Sequence, residues 1–430
     1  MINPRAVDRR SLLLVALILS VAWTSTAAGV QDLEQLSGKH IDIVTDLPLD
    51  QDRRAWPAVV DAAIPLWCQF WNVDPARLQT WRVTAYVMSA KEPFDRRGLI
   101  PPEVPDFPHG FQYGNRVFLL NQPSPYYTRH LLLHEVVHAL AFHLFGSAGP
   151  PWFMEGTAEF LATHRWDGSA LQIGIIPDRK ESVPYWGRFR MLEQRRQRRS
   201  MISLLGVMRF NDMPDRYVEP YAWTWALMQM LMAYPEYQQL VVAAGPAAGG
   251  KEPLEFSRDF YQQLAPTTGV AQGRWRVLID EFDYGYDMPR SRVELQPDDP
   301  LWNGTPYEHP IRADRGWQSV GRRFPAAATV QLRAEGETVV AHTTKPWVAY
   351  PEGITIRYFR GHPLGRLIGT WLPTSPGNEL TVQPLEVFDV GRETKVTAPA
   401  EAWLLLRIAE DSASLGDNEG VLQLTISSAE

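Results

Sequence analysis

His134-Glu135-Val136-Val137-His138 is the densest set of chemistry-bearing residues in the chain. On a helix, positions four apart share a face, so both imidazoles can meet one metal ion. Glu135 is rotated to their side, where it can act on a water instead of on the metal. Two imidazoles leave a catalytic zinc short, because such a site takes three protein ligands and keeps one position open. Sixteen residues separate His138 from Glu155, which lies in Trp152-Phe153-Met154-Glu155-Gly156-Thr157-Ala158-Glu159-Phe160. Glu155 can supply the third ligand from a second helix. The expected cofactor is therefore Zn2+ on His134, His138 and Glu155, with Glu135 as general base.

The elements that must carry these residues follow from periodicity. The apolar run 131–145 predicts a helix, stopped by Gly146 and Gly149-Pro150-Pro151; 152–163 predicts a second and 221–233 a third. Ahead of them, 41–45 and 81–88 read as strands and 52–71 as a helix. Segments 111–113 and 116–120, joined by Gly114-Asn115, read as a hairpin. Further helical spacing occurs around 256–264 and 275–282. The stretch 289–314 is rich in Pro, Asp, Gly and Asn without periodicity, and it holds a glycosylation sequon at Asn303. After Trp317, short alternating segments at 329–333, 338–341, 355–359, 367–371, 380–382, 402–408 and 421–426 are punctuated by turn residues, as in an antiparallel sandwich or barrel. The expected fold class is multidomain: an α+β N-terminal lobe (30–125), a mostly helical catalytic region (126–290), a linker (291–317) and a C-terminal antiparallel β-sandwich (318–430).

Composition narrows the function classes. A net charge of −7 gives no electrostatic footing for nucleic-acid binding, and the basic run 195–199 is local. Arg5, Arg9 and Arg10 precede an apolar run over 11–23, and Ser25-Thr26-Ala27-Ala28 offers a cleavage site. Residues 1–28 thus read as a signal peptide for export to the periplasm, cell surface or medium. The run is shorter than the roughly 20 residues of a bilayer span; an uncleaved anchor is the alternative, and no membrane span is expected after cleavage. Arg9-Arg10 before Ser11-Leu12-Leu13 bears a slight likeness to a twin-arginine signal. The single cysteine, Cys68, excludes an intrachain disulfide, and its apolar neighbours mark it as a core residue instead of a nucleophile.

With both segments in view, the sequence resembles the gluzincin branch of zinc peptidases: thermolysin-like enzymes and, more closely, the M1-type aminopeptidases. These pair the first motif with a Glu-Gly-x-Ala-type segment after a similar gap. The resemblance covers about residues 40–290 and extends to exported bacterial proteins of the peptidase MA-like type. It implies a zincin catalytic domain and a peptide or protein substrate. The metzincin pattern needs a histidine six residues after His138, but that position is Leu144, and His143 falls one short. The likeness gives Glu159, one turn past Glu155, the task of bonding a metal-bound imidazole. It also makes Tyr221, in Pro220-Tyr221-Ala222-Trp223, the donor to the oxyanion; Tyr217 is the nearby substitute. Two departures stand out. The family's Gly-Ala-Met-Glu-Asn strand binds a free amine through its Glu, whereas 109–114 here holds no carboxylate, so aminopeptidase action is not implied. Met154 also stands where Asn or Ser is common. Tyr284-Gly285-Tyr286-Asp287 belongs to the likeness without an assignable chemistry.

In the C-terminal region, Pro363-Leu364-Gly365-Arg366-Leu367-Ile368-Gly369 and Leu415-Gly416-Asp417-Asn418-Glu419-Gly420 resemble the bacterial galactose-binding, calcium-dependent lectin fold. The resemblance implies Ca2+ on Glu410, Ser414, Asp417 and Asn418, and a carbohydrate partner. The same Asp, Asn and Gly residues also serve a plain β-turn. Two other functions compete with a peptidase: an exported glycan- or wall-associated binding protein with an auxiliary metal site, and a zinc hydrolase of a non-peptide amide or ester.

Overall fold

The computed structural model describes residues 32–210, 218–375, 377 and 379–429. The signal expected over 1–28 and the substitute Tyr217 lie outside the described residues.

The N-terminal lobe is a five-stranded sheet. Its strands are Glu34–Ser37 (β1), Ile41–Thr45 (β2), Val83–Met88 (β3), Gly110–Tyr113 (β4) and Arg116–Leu120 (β5), in the order β1-β2-β3-β5-β4. Alternation in β2 turns Ile41, Ile43 and Thr45 inward. The helix Gln51–Trp71 makes the crossover that lets β2 and β3 run parallel, with Ile41 opposite Val83. It starts at Asp50, whose side chain accepts from the Arg53 N–H, and ends at Asn72 in the left-handed conformation. Cys68 lies on its buried face, in the core as expected. β3 and β5 are also parallel, while the hairpin leaves β4 as an edge strand.

The motif helix, Pro125–Phe145, packs on this sheet through Leu132, Val136 and Leu140, which share a core with Ile43, Val83 and Val117. Ser124 caps it by accepting from the Tyr127 N–H, worth about 1 kcal/mol. Gly146, at φ 75°, ends it as a residue without a Cβ can. Five residues later the chain enters Pro151–Ala162, with Pro151 in the first turn where its missing N–H costs nothing. A third helix, Glu219–Ala233, crosses this one at Gly156, where any Cβ would lie 2.9 Å from the Thr224 carbonyl oxygen. That contact lets the third helix bring Tyr221 alongside. Trp223, Trp225, Trp275 and Phe282 build the second core beneath.

In the C-terminal region two antiparallel sheets share one core. One holds Gln318–Phe324, Ala402–Ile408, Leu367–Pro373 and Val387–Asp389; the other is built around Glu419–Ser428 and Thr329–Glu335. Leu404, Leu406, Leu332, Leu422 and Leu424 meet between them. Two expectations need correction. The stretch 291–317 is more than a linker, because Tyr307–Arg312 pairs antiparallel with Glu419–Ser428, Ile311 opposite Leu422. Its burial alternates, but only Ile311 is fully buried and Pro310 interrupts the run, a residue tolerated because among the described residues the strand pairs on one side alone. The segment at 380–382 does not join either sheet: Thr381–Val382 pairs with Met201–Ile202 of the helical region.

The two halves are bound by more than that bridge. The helix Thr268–Glu281 lays Val270 and Val277 against Ile368, Leu372, Trp403 and Leu405 on the outer face of the first sheet. At its end, buried Glu281 accepts from Arg407, from the Ser412 hydroxyl at 3.0 Å and from Trp317 Nε1 at 2.9 Å. Its neighbour Asp280 accepts from Arg360 Nη1 at 2.9 Å and from the Leu385 N–H at 2.9 Å. Tyr284-Gly285-Tyr286-Asp287 belongs to this junction: Tyr286 packs on Phe282, Gly285 takes φ 74°, and the Asp287 N–H donates to the Ser412 carbonyl.

Candidate metal centre

The motif helix and Pro151–Ala162 bring His134, His138 and Glu155 to one point. His134 Nε2 is 2.9 Å from Glu155 Oε2, His138 Nε2 is 3.4 Å from the same oxygen, and the two Nε2 atoms are 3.1 Å apart. All three ligand atoms lie within 4.8 Å of one another, and all three side chains are buried. Two neutral imidazole lone pairs and a carboxylate oxygen at these separations suit a divalent ion that takes mixed nitrogen and oxygen donors, as zinc does.

The field at this point favours positive charge. Burial pushes the Glu155 carboxyl up, but His138 and the hydrogen bonds from His134 and His138 outweigh it and bring it down to about 2. Burial likewise disfavours imidazolium at His134, yet Glu155 and Glu159 raise it to about 10. A proton on His134 stands here in the role a cation would take. Glu135 differs from both: burial is the largest influence and raises its pKa, with His138 and His134 opposing. It lies under β4, so close that a Cβ at Gly110 would be 2.9 Å from its carboxyl carbon.

Tyr221 turns its ring edge toward His134, with centroids 6.1 Å apart, and faces the cavity that His134, Glu135, His109 and Gly110 also line. Burial, then the negative charge of Glu155 and Glu135, keeps its hydroxyl protonated. Glu159 is 1% exposed and lies 3.4 Å from His134 Nδ1, on the far side of the ring from Glu155. Sequence reasoning missed three neighbours. Arg188 grips Glu159 with two bonds, Nε at 2.9 Å and Nη2 at 2.7 Å. His130 places Nε2 3.4 Å from Glu159 Oε2. Gly110 makes room for Glu135. Of these only His130 carried a signal, as the third histidine at four-residue spacing on the same helix face; Arg188 opens the separate helix Arg188–Gln197, whose spacing says nothing of Glu159.

The residues expected to hold calcium are arranged less openly. Glu410 is buried, and its Oε1 accepts from Arg357 at 3.0 Å and from the Asp411 N–H at 2.9 Å. Asn418 is buried and donates to the Ala313 carbonyl at 3.1 Å. Glu410 Oε2 and Asn418 Oδ1 have no hydrogen-bond partner. Ser414 is half-buried and Asp417 is exposed.

The fold and this centre define a protein of helices and several β-sheets with a buried His/Glu group able to hold a metal ion. No helix among the described residues is long and apolar enough to cross a membrane. No protein-family model matches the chain, and no curated protein matches it. Among solved structures, one titled the EclA N-terminal domain, a PllA-like lectin, is similar at 18% identity and a TM-score of 0.22, over 29% of this chain and 96% of that one. PliG of Aeromonas hydrophila, a periplasmic inhibitor of g-type lysozyme, is similar at 9% identity and a TM-score of 0.16, over 32% and 97%. At such scores neither likeness bears on what this chain does.

Proposed function

We propose that the chain is a zinc-dependent peptidase of the gluzincin kind, acting on peptide or protein substrates outside the cytoplasm. The observation that carries the reading is the meeting of His134, His138 and Glu155 at one buried point beside a second acidic residue, Glu135, that is held off from them. When bound, zinc supplies Lewis acidity, polarising a carbonyl and acidifying water. Glu135 takes the proton of the attacking water and returns it to the leaving amine; its burial raises its proton affinity toward that task. Tyr221, kept protonated, donates to the developing oxyanion. The lack of a carboxylate in 109–114 favours cleavage within chains over removal of an N-terminal residue. Metal analysis and peptide-library cleavage, comparing wild type with Glu135→Gln, test the reading. Zinc should be retained and cleavage reduced roughly 10²–10⁴-fold. Full activity in the variant, or a wild type that hydrolyses only esters or non-peptide amides, overturns it.

A second reading concerns the C-terminal region, as a site for Ca2+ and, through it, carbohydrate hydroxyls. The unpartnered buried oxygens of Glu410 and Asn418 favour it, because a hard cation is a fitting partner for both. The Arg357 guanidinium on Glu410 opposes it. Calorimetry of the full chain with Ca2+ should give binding that Asn418→Ala abolishes; no heat in the wild type refutes this reading.

A further inference from the structure

Two groups of ligand atoms, not one, converge in the pocket. Besides His134, His138 and Glu155, the atoms of His130, His134 and Glu159 lie within 4.8 Å of one another. The groups share His134 but use opposite ring nitrogens: Nε2 faces Glu155, and Nδ1 faces Glu159. The second group has the marks of an incomplete site. His130 Nδ1 is turned to the Ala162 carbonyl at 3.1 Å, so the ring carries its proton there and points a lone pair from Nε2 toward Glu159. That nitrogen and His134 Nδ1 are buried, and each has only a 3.4 Å contact to a Glu159 oxygen without a well-formed hydrogen bond. A divalent ion would satisfy both, with His134 releasing its Nδ1 proton and bridging as an imidazolate where Nε2 already holds the first ion.

Arg188 stands in its way. Tyr185 at φ 65° and Gly187 at φ 72° twist the loop on either side of Trp186, turning Trp186 and Arg188 inward. Trp186 wedges edge-on against Trp225 and His130, which fixes the approach. Arg188, 3% exposed, then occupies both Glu159 oxygens and donates its remaining arm to the Trp186 carbonyl at 3.2 Å. A guanidinium cannot give up its charge in a protein, and its two-pronged match to a carboxylate holds it in place. A second ion beside it would meet a fixed like charge in a low-dielectric pocket, where repulsion is strong.

We infer that Arg188 is a positioning residue that keeps this a one-metal centre, its charge filling the place of a second cation among His130, His134 and Glu159. The inference rests on the reading of the first group as a metal site. Equilibrium dialysis and visible absorption with Co2+ test it in the full chain. Wild type should take one ion per chain even at large excess. Arg188→Gln should take two, with a second set of absorption bands, and Arg188→Lys, which keeps the charge, should return to one. Adding His130→Gln to Arg188→Gln should remove the second ion alone. Loss of the buried cation should also destabilise metal-free Arg188→Gln, and Co2+ should raise its melting temperature by more than it raises that of wild type. One ion in Arg188→Gln, or a variant that stays unfolded in excess Co2+, overturns the inference. A wild type that takes no ion at all fails the metal reading instead, so the two failures are distinct.

Discussion

Two buried clusters of carboxylates and nitrogen bases lie in this molecule, and they differ in how their charges are spent. At the domain junction, Glu281 and Asp280 meet Arg407 and Arg360, joined by Trp317, Ser412 and the Leu385 N–H. Every strong acceptor there has a donor. In the pocket, His134, His138 and Glu155 turn lone pairs toward a common point, and Glu135 stands apart from that group with no ion pair among the described residues. A closed cluster of that first kind holds elements together. A cluster with surplus lone pairs is built for something not supplied by the chain.

The largest effect is expected at the junction. Arg407 is fully buried, and Arg407→Met would leave Glu281 ionised without its main partner. Removing one member of a buried pair costs about 3–5 kcal/mol, so unfolding should move to markedly lower denaturant. The C-terminal region should loosen with it, since the same residues tie Thr268–Glu281 to the first sheet. A variant as stable as wild type would show that the junction is ornamental.

In the pocket the matching change should harm function and spare the fold. Gly110→Ala would drive a methyl into the Glu135 carboxyl group, 2.9 Å away, and displace the base. A misplacement near 1 Å costs on the order of 10²-fold in rate. Metal content should stay at the wild-type level, which separates this change from loss of a ligand. Unaltered turnover would mean that Glu135 is not the working base.

Glu159→Gln touches both sides of the comparison, because Glu159 is satisfied by Arg188 and also faces His134. Carboxylates behind a metal-bound imidazole are worth roughly 10–100-fold in metal affinity. Titration of the metal-stripped variant with Zn2+ against a competing chelator should show a loss in that range. No change in affinity would leave Glu159 a structural partner of Arg188 only.

How much of this could be read from the sequence follows the same division. The helices carrying His134, His138, Glu155 and Tyr221 declare themselves because local periodicity and Gly and Pro stops act along the chain. The sheet segment 329–333 does so by alternation, and 402–408 by a short apolar run that is buried on both faces. Contacts between distant segments leave no such trace. Arg188 reaches Glu159 from the start of the helix Arg188–Gln197, Gly110 passes Glu135 from an edge strand, and Arg407 looks like a misplaced charge inside the apolar run 402–408 until Glu281 is seen opposite. Tyr307–Arg312 stayed hidden because only one of its residues faces the core fully.

The smallest effect has the most telling sign. Burial pushes the Glu281 carboxyl up, but Arg407 foremost holds it below its ordinary value of 4.5. A carboxylate depressed in the folded state contributes stability that is present above its unfolded pKa and lost as pH falls below it. Asp280 has the opposite slope: burial outweighs Arg360 and raises its pKa above 3.8, so its ionisation works against folding as pH rises. Wild type should therefore lose stability from Glu281 between pH 5 and 3, roughly the window just around its unfolded pKa, while Asp280 gives a partial return. Without Arg407, burial is opposed only by Arg360 and by the hydrogen bonds from Ser412 and Trp317, so the Glu281 pKa rises from its depressed value and its loss of stability on acidification shrinks. All other carboxylates are common to both proteins, so the difference in melting temperature between wild type and Arg407→Met should narrow as pH falls from 6 to 3.5. A gap that stays constant would mean that Arg407 balances Glu281 no better than water does, and the junction would lose its claim to be the closed counterpart of the pocket.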